Sequence, residues 1–159
     1  MEGMKGGMVR TVRQPIPILK SKLIAPELTD KVLFTERLRA LDIAGNRCTL
    51  ITAPAGSGKT TAVLLALAGA DAQVCWYRLE PEDGRLAVFA AHLIHTLFQR
   101  VPDQSRIQSL NMLTALNDLS LFNAVLCQDA WECFGENNAP IYLVLDNFHH
   151  AVRQPEIIE

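Results

Sequence analysis

The chain has 159 residues, 49% apolar and 20% charged, an ordinary globular composition with enough length to bury a core. Its net charge is −2, but the first 22 residues carry +4 and the remainder −6, which argues against a nucleic-acid surface on the folded body. No run reaches the roughly 18 apolar residues of a membrane span, so no membrane partner is expected. Cys48, Cys75, Cys127 and Cys133 form no CxxC pair. Cys48 and Cys75 read as small buried hydrophobes, and a reduced, cytoplasmic setting follows as the default.

In chain order, residues 1–22 form a basic leader rich in glycine and proline. It lacks the apolar core of a secretory signal and reads as a flexible arm, with the folded domain expected over 23–159. A helix is expected to start at Thr29 or Thr35 and to stop at Gly45. "CTLITA" is a short, β-branched apolar run, read as a buried strand. "GKTTAVLLALAGA" is read as a helix and "QVCWYRL" as a second strand, closed by "EPEDG". Leu86, Phe89, Ala90, Leu93, Ile94 and Leu97 recur at helical spacing up to Pro102. Ile107, Leu110, Leu113 and Leu116 mark another helix. Phe122, Val125, Leu126, Asp129, Ala130 and Cys133 mark a third, and "ENNAP" follows as a turn. "IYLVLD" is apolar without alternation, the pattern of a strand covered on both faces. Strands alternating with helices indicate an α/β fold with a parallel sheet.

The stretch from Ala53 to Thr61, Ala53-Pro54-Ala55-Gly56-Ser57-Gly58-Lys59-Thr60-Thr61, carries the strongest chemical signal. It fits a phosphate-binding loop between a strand and a helix. Gly56 and Gly58 lack a Cβ and let successive backbone N–H groups turn toward an anion. The helix that follows adds its positive end. Lys59 is placed to reach β- and γ-phosphates, and Thr60 to offer a hydroxyl to Mg²⁺. Ala53 stands where the strict pattern has glycine, at a position that need not approach the phosphates.

Asp146, closing the apolar run "IYLVLD", is the candidate metal residue paired with that loop. Asn147 takes the next position, where many ATP-hydrolysing relatives of such loops have a second carboxylate. An amide orients a water but cannot accept its proton, so hydrolysis is expected to be slow or absent while binding is spared.

The order "SKLIAPEL…ERLRAL…LITAPAGSGKTT…VCWYRLEPEDG…FAAHL…LVLDNFHHA" resembles the ATPase domain of the large LuxR-type regulators, similar to the maltose-regulon activator and of the STAND class of signal-transduction ATPases. The likeness runs from about Ser21 to the last residue. It implies a three-layer P-loop NTPase fold with ATP/ADP and Mg²⁺ as ligands, in which Lys59 and Thr60 contact phosphate and metal and Asp146 serves Mg²⁺. Arg37 falls at the arginine of the family's R-x-R-L helix, whose first arginine is Thr35 here. Residues 23–28 are implied to lie near the adenine. Asn147 departs from the family's Asp-Asp pair.

The same resemblance implies an ATP-controlled switch that self-associates in its ATP state and reaches DNA only through a domain outside this chain. It also implies that the chain is an N-terminal piece lacking later strands. One of those strands would lie between the phosphate-loop strand and the Asp146 strand, and its absence would leave edges unpaired. The alternatives are a free-standing small-molecule kinase and a truncated remnant without function. Other residues read more plainly. His92 and His95 lack a third metal ligand, Trp76 and Tyr77 read as core and rim, and Glu80, Glu82 and Asp83 read as a solvated acidic loop. His149 either senses a γ-phosphate or braces the strand end.

Overall fold

In a computed structural model of the chain, residues 16–28, 43, 45–101, 104–116, 119–135 and 140–151 are described. The expected helix between Thr29 and Gly45 falls almost wholly outside these residues, as does Arg37. Four helices and two strands follow in the order α1 (Lys59–Leu67), β1 (Gln73–Arg78), α2 (Leu86–Phe98), α3 (Gln104–Leu116), α4 (Leu119–Phe134) and β2 (Ile141–Asp146). Short 3₁₀ turns occupy Lys20–Leu23, Pro81–Gly84 and Phe148–His150. The arrangement is α/β: β1 and β2 pair in parallel, with α2, α3 and α4 forming the connection between them. Parallel pairing requires such a long crossover, and it brings the carboxyl ends of both strands to the same edge.

β1 is the more deeply buried strand. Its Cys75, Trp76 and Tyr77 are all at most 1% exposed, and Trp, Tyr and Val suit a pleated, covered surface. β2 differs from its sequence expectation. It is half-buried along its length, and Leu143 is exposed, so the strand is not covered on both faces.

A larger correction concerns "CTLITA". Residues 48–53 form no strand, and Cys48 and Leu50 are exposed, Leu50 by 79%. No described strand lies beside them. An apolar run without a neighbouring ladder has no strand partner for its backbone groups and stays outside regular structure.

The main core is helical. Ala90, Ile94 and Phe98 of α2 pack with Ile107 and Leu110 of α3 and Phe122 of α4. These positions recur every three or four residues, giving each helix one apolar stripe. Each fully buried side chain of this size contributes about 1.5–3 kcal/mol. Arg106 of α3 bonds Asp129 at 3.1 Å and Glu132 at 2.8 Å, fixing α3 against α4.

A smaller apolar cluster joins Leu23, Tyr77, Leu79 and Ala151, with Ile18, Phe89, Leu145 and Phe148 packed around it. The end of the basic leader therefore belongs to the body. Ile18 joins this cluster, the Leu19 N–H donates to His92 Nε2 at 3.3 Å, and Lys22 is 2% exposed. Residues 1–15 lie outside the described part of the chain.

Tyr77 stacks on His92 with ring centroids 5.6 Å apart, and its buried hydroxyl has no hydrogen-bond partner. Burial, and then the nearby Asp83 charge, push the phenol well above its ordinary range. The folded state thus holds this proton where the unfolded chain releases it, and stability falls as pH rises past about 10. Tyr77→Phe removes an unsatisfied group as well as the titration. At pH 7 the variant is expected to unfold with a free energy within about 1 kcal/mol of the parent, or above it. Its loss of stability above pH 10 should be visibly smaller. Urea titrations at pH 7 and in the alkaline range measure both effects.

Candidate functional site

Residues 53–58 turn sharply before α1. Gly56 and Gly58 have φ of +75° and +82°, the left-handed region that glycine enters without penalty. A Cβ added at either would meet no atom within 4 Å. The requirement for glycine is therefore backbone conformation, not space. Ser57 N donates to the Pro54 carbonyl at 3.3 Å, and Gly58 caps α1 with its carbonyl accepting from Ala62 N at 2.8 Å. The unpaired N–H groups of the first turn and the positive end of α1 face the same region as the loop. Lys59 folds back on this loop, donating to the carbonyls of Ala53 and Pro54 at 2.8 Å each. Ala55 is exposed at the apex, and Thr61 is the third residue of α1.

Asp146 ends β2 and faces the same helix start. The Thr60 hydroxyl donates to both its carboxylate oxygens at 3.2 Å, across 86 residues of sequence. That separation is long for an O–H···O bond, whose usual range is about 2.5–3.0 Å. A hydroxyl and a carboxylate are hard oxygen donors, so the pair fits Mg²⁺. Two protein ligands alone leave most of such a shell to water and phosphate oxygens. Among the described residues no cluster of three or more His, Cys, Asp or Glu could hold a metal ion by protein groups alone.

Asn147 adopts φ +60°, ψ +35°, the single left-handed non-glycine among the described residues. Its N–H donates to Asp146 Oδ1 at 3.1 Å, adding a third contact to that carboxylate. Asparagine is one of the few residues that visits this conformation readily. His149 and His150 lie in the turn beyond, ring centroids 4.1 Å apart, with His149 exposed. The register sets Arg78 directly beside Asp146 at the carboxyl edge. That neighbour could not be read from sequence without the strand pairing.

Behind this edge lies a charged group that the sequence reading placed in solvent. Asp83 is fully buried, and its Oδ2 accepts from Lys22 Nζ at 2.7 Å and from Glu80 N at 2.7 Å. Glu80 is also within 3.2 Å of Lys22, while Glu82 is exposed. Desolvation acts to lower the Lys22 pKa, but the hydrogen bonds it donates to Asp83 and Glu80, with the attraction of their charges, outweigh it and hold the ammonium above its ordinary value. The spacing Glu80-Pro81-Glu82-Asp83 is that of a capping box, the one sequence signal that could have shown Asp83 turning inward. His92 is structural. Its Nε2 accepts from Leu19 N, which leaves Nδ1–H to donate to Val88 O at 2.9 Å, and both nitrogens are used.

No protein-family model matches the chain, and no solved structure matches it. No helix among the described residues is long and apolar enough to cross a membrane.

The left-handed backbone at Asn147 yields a graded expectation. Asn147→Gly should leave stability nearly unchanged. Asn147→Val should lower it by about 1–2 kcal/mol, because a β-branched side chain is forced into that region. Thermal or urea unfolding of the three proteins distinguishes them.

Proposed function

We propose that this chain is the ATP-binding switch module of a signal-responsive transcriptional regulator, built as a P-loop NTPase domain and binding Mg-ATP or ADP with slow or absent hydrolysis. The observation that carries the reading is the approach of the Thr60 hydroxyl to both oxygens of Asp146. It brings the end of a glycine loop and the end of a parallel strand to one point. The left-handed Gly56 and Gly58 support the same reading, because they supply the sharp backbone turn that a phosphate-binding loop needs before the helix.

On this reading Gly56, Ser57, Gly58 and the first turn of α1 bind and orient the phosphates. Lys59 exchanges two neutral carbonyls for phosphate oxygens, a charge-assisted contact that is the stronger one. Thr60 and Asp146 would hold Mg²⁺, which supplies charge neutralisation across the β- and γ-phosphates. Asn147 orients a water but cannot take its proton, and this favours a bound state that persists over one that turns over. Transcriptional output, self-association and DNA contact rest on the resemblance of "SKL", "CWYRLEPED" and "LVLDNFH" to the LuxR-type regulators.

Equilibrium titration with a fluorescent ATP analogue in Mg²⁺ should show saturable binding, weakened about tenfold or more by Lys59→Ala. Absence of saturable binding to the parent chain would overturn the reading. Asn147→Asp supplies the missing base, and aspartate also tolerates the left-handed backbone. Its ATP turnover is expected to rise by about 10²-fold with affinity little changed, as measured by phosphate release.

A further inference from the structure

Lys22 and Asp83 are the two charged side chains with the least exposure among the described residues, 2% and 0%. They join segments 61 residues apart, and neither belongs to the loop or to the end of β2. Burying two charges is costly and contributes little net stability compared with an apolar pair of the same volume. What such a pair does provide is a fixed direction, because its geometry admits few alternatives.

The direction leads to the site. Asp83 Oδ2 holds both Lys22 Nζ and the backbone N–H of Glu80. Glu80 follows Leu79, whose N–H donates to the Asp146 carbonyl at 2.9 Å. The Asp146 carboxylate in turn meets Thr60. A second path is apolar. Leu23, next to Lys22, shares a cluster with Leu145 and Phe148, the residues on either side of Asp146 and Asn147. One path begins at Lys22 and the other at its neighbour Leu23, and both end at the carboxyl terminus of β2.

We propose that Lys22, through its buried pair with Asp83, is a positioning residue for Asp146. The pair holds the Leu79–Glu80 backbone to which the end of β2 is hydrogen-bonded, and so aims the carboxylate at Thr60. Its consequence for ligands rests on the nucleotide-binding reading: Lys22 sets how much Mg²⁺ adds to ATP affinity while leaving metal-free binding at the loop alone.

The test uses the full chain, Lys22→Met, Lys22→Arg and the charge-free Lys22→Met/Asp83→Asn, which carries the measurement if Lys22→Met does not fold. Amide hydrogen exchange is read at Leu79 and, as an internal reference, at Ile94 in α2. In Lys22→Met the Leu79 amide should exchange about tenfold faster with Ile94 unchanged, and Lys22→Arg should restore most of the protection. Titration of a fluorescent ATP analogue with Mg²⁺ and with EDTA then reads the consequence. The gain from Mg²⁺ should fall about tenfold, the size seen when a group behind a metal ligand is removed, with EDTA affinity little changed.

Leu79 exchange at the parent rate in a folded variant overturns the proposal, as does an intact Mg²⁺ gain alongside faster exchange. Equal loss of protection at Leu79 and Ile94 also overturns it, since that shows general destabilisation. If the parent chain binds no nucleotide, the functional reading fails, and Leu79 exchange still decides whether Lys22 positions Asp146.

Discussion

One hydroxyl proton, shared by Thr60 between the two oxygens of Asp146, ties together parts of the chain 86 residues apart. Everything chemically distinctive about the molecule is arranged around that contact. It requires α1 to begin at a fixed place, which the left-handed Gly58 secures. It also requires β2 to end there, which its parallel pairing with β1 secures. Displacing either element by one residue would separate the carboxylate from the hydroxyl, and on the proposed reading the two act together toward Mg²⁺.

The energy that holds this geometry comes mostly from elsewhere. The α2–α4 core around Ile94, Phe98 and Leu110 buries the apolar surface and contains no titratable group of the site. The smaller cluster of Leu23, Tyr77, Leu79 and Ala151 lies directly behind the site. It contributes less burial but includes the backbone that touches Asp146. On the proposed reading, this division sets a stable helical body beside an edge whose contacts are few and can be exchanged. Lys59 illustrates the second part. Its bonds to the carbonyls of Ala53 and Pro54 occupy the ammonium without locking it, because each is an exposed contact that an anion can replace.

Much of this was legible in the sequence. The helical spacing from Leu86 onward, the two strands Gln73–Arg78 and Ile141–Asp146, and the glycine turn before Lys59 all follow from local rules of periodicity and backbone freedom. Readings that depended on neighbours fared worse. "CTLITA" has the composition of a strand, but a strand exists only with a partner, and Leu50 is solvated without one. From sequence, Lys22 falls in an arm and Asp83 in a solvated loop, because single charged residues carry no sign of what faces them. Their pairing is a tertiary fact. Arg78 beside Asp146 is of the same kind, since register cannot be read from either strand alone.

The central claim is that Thr60 and Asp146 act as one unit toward Mg-nucleotide. The most direct measurement is a double-mutant cycle, Thr60→Ala against Asp146→Ala, on the Mg²⁺-dependent part of ATP affinity. A shared site predicts strong non-additivity, with a coupling energy of about 0.5–3 kcal/mol and the double variant little worse than either single one. Additive losses, or a Mg²⁺ effect that survives both substitutions, would contradict the account.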